Sequence, residues 1–178
     1  HEANGEWYPW AESQNGNQPG EYVAVWRYVH DRFTQAGADN VIWMWSPNIN
    51  PFGTYPMASG FPGDEYIDLV GLVGYWGHFG VTPTEPGSFE SVFGISIAEI
   101  RTLTQKPILI AETGASDEGG FKALWIRDFL AEVAARRDIV GFIWFEAVKE
   151  DNWRVDSTPE SLAALKPAVT EDRARALG

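Results

Sequence analysis

The chain has 178 residues, no cysteine, and 13 basic against 25 acidic side chains, for a formal charge of −12. That length suits one domain with a sizeable core. The ordinary apolar and charged fractions exclude disordered and collagen-like classes, and the missing thiols exclude disulfides and thiolate chemistry. So acidic a surface does not suit a phosphate backbone, so nucleic acid is not an expected partner, and no apolar run approaches the ~20 residues of a membrane span.

In chain order, the first ten residues carry aromatics among loop formers: Trp7, Tyr8 and Trp10 stand with Asn4, Gly5 and Pro9. Gly20–Ala36 follows as a helix, with apolar residues at Val23, Trp26 and Phe33 and a stop at Gly37. Val41–Ser46 is a short apolar strand ended by Pro47, and a long loop then leads to a helical turn near Glu65–Ile67. Leu69–Tyr75 is a strand, Phe89–Leu103 a helix, Pro107–Glu112 a strand, Gly119–Arg136 a helix and Ile139–Phe145 a strand. Ser161–Leu177 closes the chain as a helix interrupted at Pro167.

The four strands lack polar alternation and are separated by helices, the pattern of a parallel sheet covered on both faces. Glu2, Trp45, Tyr75, Glu112 and Trp144 fall at C-terminal strand ends, where barrels of alternating strands and helices build their sites. A complete barrel of eight strands takes about 250 residues. The expected fold class is therefore α/β, a (β/α)8 barrel of which residues 1–178 supply the C-terminal half of one catalytic domain, from the end of strand four to helix eight. The upstream half of the same barrel is then a required partner, and the chain alone is not expected to be a competent enzyme.

The chain has nine tryptophans, six tyrosines and ten phenylalanines, and packing explains least well the three, Trp7, Tyr8 and Trp10, that crowd the first loop. Core filling accounts for most of them, but exposed aromatic faces also pack against sugar rings. Two glutamates stand at expected strand ends, where a pair of carboxyl groups can serve acid–base and nucleophilic chemistry. Glu2 lies in His1-Glu2-Ala3-Asn4-Gly5-Glu6-Trp7-Tyr8-Pro9-Trp10, and Glu112 ends the apolar strand Pro107-Ile-Leu-Ile-Ala-Glu112-Thr-Gly114.

The first of these segments resembles the acid/base motif of glycoside hydrolase family 26, which includes β-mannanases and mixed-linkage β-glucanases, and the second resembles that family's strand-seven nucleophile segment. The resemblance implies Glu2 as acid/base, Glu112 as nucleophile, and His1 holding and polarising Glu2. Trp45-Ser46-Pro47-Asn48 is similar to the strand-five end. Asp64 to Trp76 is similar to the strand-six segment, whose tyrosine, here Tyr75, contacts the nucleophile. Trp144-Phe145 and the loop from Lys149 to Ser157 are similar to the strand-eight end, with Trp144 as the platform under the cleaved sugar. Trp7, Trp10 and Trp76 complete the implied substrate-binding set. Val73 and Glu146 depart from the family pattern, which more often has Asp and Asn there.

The implied activity is retaining, endo-acting cleavage of β-1,4-linked mannan by a secreted enzyme without cofactor or metal. Alternatives in the same family are a mixed-linkage β-1,3-1,4-glucanase or a β-xylanase. Outside it stands a non-catalytic glycan-binding domain or, since His1 is first in the sequence, a copper site on a terminal histidine; the α/β pattern argues against the latter. Among other polar residues, His30 is expected to be a surface or packing residue and His78 could line the cleft. Asp117-Glu118 is expected at a helix N-terminus, and Arg136-Arg137-Asp138 at a solvated helix end.

Overall fold

A computed structural model describes residues 1–50, 55–77 and 82–176, with side chains through residue 168. Helix α1 (Glu21–Gln35) leads to β1 (Met44–Trp45), and β2 (Leu69–Trp76) to α2 (Ile95–Leu103). Then come β3 (Ile108–Ala115), α3 (Lys122–Ala135), β4 (Ile139–Trp144) and α4 (Pro159–Ala176). The strands form one four-stranded sheet in the order β1-β2-β3-β4, every pair parallel. Neighbouring parallel strands joined through helices are the repeating unit of a barrel wall.

The strands form where Val, Ile and Leu run without polar interruption. One face of the sheet packs on the helices: Val70, Leu72 and Trp76 of β2, Ile108, Ile110 and Ala115 of β3, and Ile139 of β4 share a core with Ile97, Ile100, Trp125, Ile126 and Phe129. Phe142 and Trp144 pack against that cluster too, their rings edge-on to Phe129 and Trp125 of α3. Trp125, Ile126 and Phe129 are completely buried, and truncating such a ring to Ala costs about 3–5 kcal/mol.

Boundaries differ from the sequence expectation where hydrogen bonding decides them. Only Met44 and Trp45 pair with β2 as a regular ladder. Pro47 has no N–H to give, yet its carbonyl accepts from Val73 at 3.1 Å, and Ile49 N–H donates to the Val73 carbonyl at 2.9 Å. Pairing therefore resumes beyond the proline and carries Asn48 along the strand direction. The helix foreseen over Phe89–Leu103 begins with a wide turn, Glu90–Gly94, before α2 proper. Helix α4 runs through Pro167 without a break.

Candidate active site

Side chains alternate between the faces of a strand. One extra residue of β3 opposite the Leu72/Val73 step shifts the register, so Glu112 leaves the helix-facing row of Ile108 and Ile110 and joins Tyr75 of β2 on the other face, where the Tyr75 hydroxyl donates to Glu112 Oε1. Their backbones can approach because Gly114 follows: a Cβ there would stand 3.1 Å from the Tyr75 ring and 3.2 Å from that of Trp153. Burial pushes the Tyr75 phenol well above its ordinary range, and the bond to Glu112 with the nearby Glu112 and Glu2 carboxylates adds to the shift. The phenol therefore stays protonated and remains a donor to the carboxylate.

Glu2 is held differently. Its N–H donates to the Ser46 carbonyl at 2.6 Å, which docks the first residues beside the end of β1. Its backbone sits at φ 52, a left-handed conformation that costs a side-chain-bearing residue of order 1 kcal/mol or more. Surrounding contacts fix it there. Asn48 Nδ2 donates to Glu2 Oε1 at 2.8 Å and Trp7 Nε1 to Glu2 Oε2 at 2.7 Å, so each oxygen has one donor. Asn4 grips Asn48 in turn, its side-chain amide donating to the Asn48 carbonyl and accepting from the Asn48 N–H, both at 2.9 Å. Trp7 reaches back only because residue 5 is glycine: a Cβ on Gly5 would lie 2.5 Å from the indole.

Both glutamates line one cleft of about 530 Å³, with Trp7, Tyr8, Asn48, Tyr75, Phe145 and Trp153 among its walls. Burial first, then the Glu2 and Glu112 carboxylates, raises the pKa of the Tyr8 phenol. At the mouth Lys149 pairs with Glu150 at 2.8 Å. An open, aromatic-walled trough with Glu2, Glu112 and the phenols of Tyr8 and Tyr75 can hold a neutral polyhydroxylated chain and perform acid–base and nucleophilic chemistry on it.

Of the residues expected from sequence, Glu2, Glu112, Trp7 and Tyr75 meet in this cleft. His1 stands beside it, Nε2 3.5 Å from Glu2 Oε2. Trp10 lies outside, stacked on Tyr8 at 4.4 Å and donating to the His1 carbonyl, where it buttresses the loop. Trp76 and Trp144 correct the expectation. Trp76 is buried and stacked on Trp125, and Trp144 packs edge-on to the same ring, both on the helix side of the sheet. The cause is the two-residue period: Tyr75 faces the cleft, so Trp76 cannot, and Phe145 takes the cleft position expected of Trp144. Trp144 still acts at one remove, since its Nε1 donates to the Trp153 carbonyl at 2.8 Å.

Asn48, Tyr8, Phe145 and Trp153 are cleft residues that the sequence reading did not single out. All four lay inside the quoted motifs; the two-residue strand period points to Phe145, whereas no pattern in the loop from Lys149 to Ser157 says which of its residues turns into the cleft. His78 lies outside the described residues. Val73 is fully buried, and Glu146 accepts from Val155 N–H at 2.9 Å. Asp117 and Glu118 do open a short helical turn, Glu118–Gly120, but the Asp117 side chain makes no cap hydrogen bond there and pairs with Lys122 at 2.9 Å; His30 packs against Trp43 and Tyr66.

The model of glycosyl hydrolase family 26 matches residues 1–142. The chain belongs to that family. Endoglucanase H of Acetivibrio thermocellus is 36% identical over 174 residues, which are 95% of this chain and 19% of that protein. A mannan endo-1,4-beta-mannosidase of Bacillus subtilis is 29% identical over 126 residues, 67% of this chain and 30% of that one. Among solved structures, the catalytic domain of the Bacillus sp. JAMB-750 family 26 endo-beta-1,4-mannanase superposes with a TM-score of 0.67 at 21% identity, covering 94% of this chain and 48% of that chain. The chain thus spans less than a third of these curated relatives and about half of the solved barrel. The fold is that of a (β/α)8 barrel, here with four successive strands of its wall.

Proposed function

We propose that this chain carries the catalytic half of a retaining, endo-acting β-1,4-mannanase, with Glu112 as nucleophile and Glu2 as acid/base. The observation that carries the reading is the cleft itself, which Glu2 enters from a loop docked beside the end of β1 and Glu112 from β3, and in which Tyr75 binds Glu112. In the first step the Glu112 carboxylate attacks the anomeric carbon while the Glu2 carboxyl protonates the departing glycosidic oxygen. In the second, ionised Glu2 takes a proton from water, and that water releases the sugar from Glu112 with net retention. Tyr75 orients the Glu112 carboxylate, Asn48 and Trp7 fix Glu2, and Phe145, Tyr8 and Trp153 supply apolar walls for the chain.

The catalytic domain extends beyond this segment in the same proposal. Ile42 just before β1 and Val140 and Ile143 of β4 are exposed at the outer strands of the sheet. A sheet edge and apolar face of that kind are covered when further strands close the barrel. The upstream half of the same barrel is the partner that fits, and secretion fits an enzyme acting on a polymer that cannot enter a cell.

The name of the Bacillus subtilis relative supports mannan as substrate. Endoglucanase H, with its higher identity over nearly the whole chain, supports a second reading, a β-glucan. The deciding experiment incubates the full-length protein with β-1,4-mannan and with mixed-linkage β-glucan and follows the anomer first released by NMR. Mannan cleavage with β-anomer first is expected. Release of the α-anomer would exclude retention, and cleavage of β-glucan alone would transfer the proposal to the second reading.

A further inference from the structure

The Lys122 side chain is 3% exposed and lies at the start of α3, away from the cleft lining. A buried ammonium is tolerated only when its protons are all taken. Here Nζ donates to the Asn152 carbonyl at 2.7 Å, the Arg154 carbonyl at 3.0 Å and Ser157 Oγ at 2.9 Å, and pairs with Asp117 at 2.9 Å. Ser157 Oγ donates to Asp117 as well, at 2.8 Å. The two carbonyls belong to the residues immediately before and after Trp153. The Trp153 carbonyl between them accepts from Trp144, and its N–H donates to the Ala147 carbonyl at 3.0 Å. All the backbone around this one tryptophan is therefore fastened, although it lies in a loop between β4 and α4.

The Trp153 ring is what the fastening positions. It packs at 4.8 Å from the Tyr75 ring, tilted by 54°, and Tyr75 binds Glu112. We propose that Lys122 is a positioning residue for the reaction: by gripping the chain on both sides of Trp153, it presses that ring against Tyr75 and so sets the Glu112 carboxylate. The proposal rests on the catalytic reading of Glu112 given above. Anchoring by a charge rather than a neutral amide suits the task, because charge-assisted bonds to carbonyls are shorter and stronger than neutral ones.

The test replaces Lys122 by Met, of matching length and apolar, in the full-length enzyme. Active sites are counted by endpoint labelling of Glu112 with a fluorinated activated glycoside, so that kcat is expressed per labelled site. The expected result is wild-type labelling stoichiometry, kcat per site lower by about tenfold because a small misplacement of a reacting group is enough, and KM within about twofold of wild type. The double variant Lys122→Met with Asp117→Asn leaves no unpaired charge in the turn and carries the same expectation. Wild-type kcat per labelled site in either variant, with or without a smaller labelled fraction, would overturn the positioning role, since support of the fold alone lowers only the number of competent sites. Failure of both variants to fold would overturn it too, by showing that Lys122 holds the whole domain rather than Trp153. A wild-type enzyme that neither labels nor hydrolyses would instead remove the catalytic reading on which the proposal stands.

Discussion

The two walls of the cleft hold their glutamates by opposite means. Glu112 lies within β3, paired with Val73 of β2, and its carboxylate is oriented by the Tyr75 phenol, against which the Trp153 ring packs. Glu2 lies on a left-handed loop residue tied by one backbone bond to Ser46 and by side chains from Asn48 and Trp7. Many backbone bonds fix the main chain of a residue on a ladder, so change reaches its carboxylate only through the side chains that orient it. The Glu2 backbone lacks that support, so small changes several residues away move main chain and carboxylate together.

Removing the groups themselves gives the largest effects and asks whether the walls differ in chemistry as they do in support. Glu112→Ala should lower turnover by about four orders of magnitude or more on every substrate, since no group replaces the nucleophile. Glu2→Ala should lower polysaccharide turnover by about 10²- to 10⁴-fold, the usual worth of general acid–base catalysis. It should spare the first step on aryl glycosides with good leaving groups, and azide should restore their turnover with retained configuration. If azide rescued Glu112→Ala to a product of inverted configuration and gave none with Glu2→Ala, that would still leave Glu112 as nucleophile but deny Glu2 its role.

At the next level, the supports are predicted to fail unequally. Tyr75→Phe deletes the donor to Glu112 and keeps the ring against Trp153, so kcat should fall by about tenfold to a hundredfold with stability unchanged. Gly5→Ala touches no substrate at all, yet its Cβ would sit 2.5 Å from the Trp7 ring. The indole must leave Glu2, and kcat on polysaccharide should fall by about tenfold, the loss expected for one buried bond to a charged group. The first step on activated aryl glycosides, read as the burst of released aglycone, should hold, because a good leaving group does not need the acid. Equal losses on both substrate types would show that Gly5 supports the cleft as a whole and would break the contrast between the walls.

The same contrast explains what could be read in the sequence. The strand wall was legible: continuous apolar runs mark β2 and β4 to within a residue, and a glutamate ending such a run pointed to Glu112, although β3 continues through Thr113 and Gly114 to Ala115. The helical boundaries followed from Gly37 and from apolar spacing. Trp76 and Trp144 were misplaced because adjacent residues at a strand end cannot face the same side, a constraint already present in the two-residue period but not applied to aromatics. β1 was overrun because a hydrophobic stretch does not say which of its residues find ladder partners. The Glu2 wall was legible only through its motif, and behind the other wall nothing in the order of residues 145–158 says that Trp153 turns back to Tyr75, where the carbonyls on either side of it meet the distant Lys122.

The smallest predicted effect tests whether the far end of the sheet is separate from both walls. Asp138 precedes β4 at the strands' N-terminal end, where it accepts from Arg101 Nη2 at 3.0 Å and lies 3.4 Å from Arg136 Nε. Its carboxyl is held below the ordinary aspartate range: partial burial works against this, and the hydrogen bonds and charges of Arg101 and Arg136 outweigh it. A group whose pKa is depressed in the folded protein stabilises it above the unfolded pKa, and that contribution is lost as pH falls through the folded value. Asp138→Asn should therefore lower the melting temperature slightly at neutral pH, with the difference from wild type shrinking on acidification below about pH 4. Because the site of such a barrel is built at the opposite strand ends, kcat and KM should not change. A loss of activity without a loss of stability would mean that the lower end of the sheet communicates with Glu112 through β3, and that the ladder is a less independent support than its hydrogen bonds suggest.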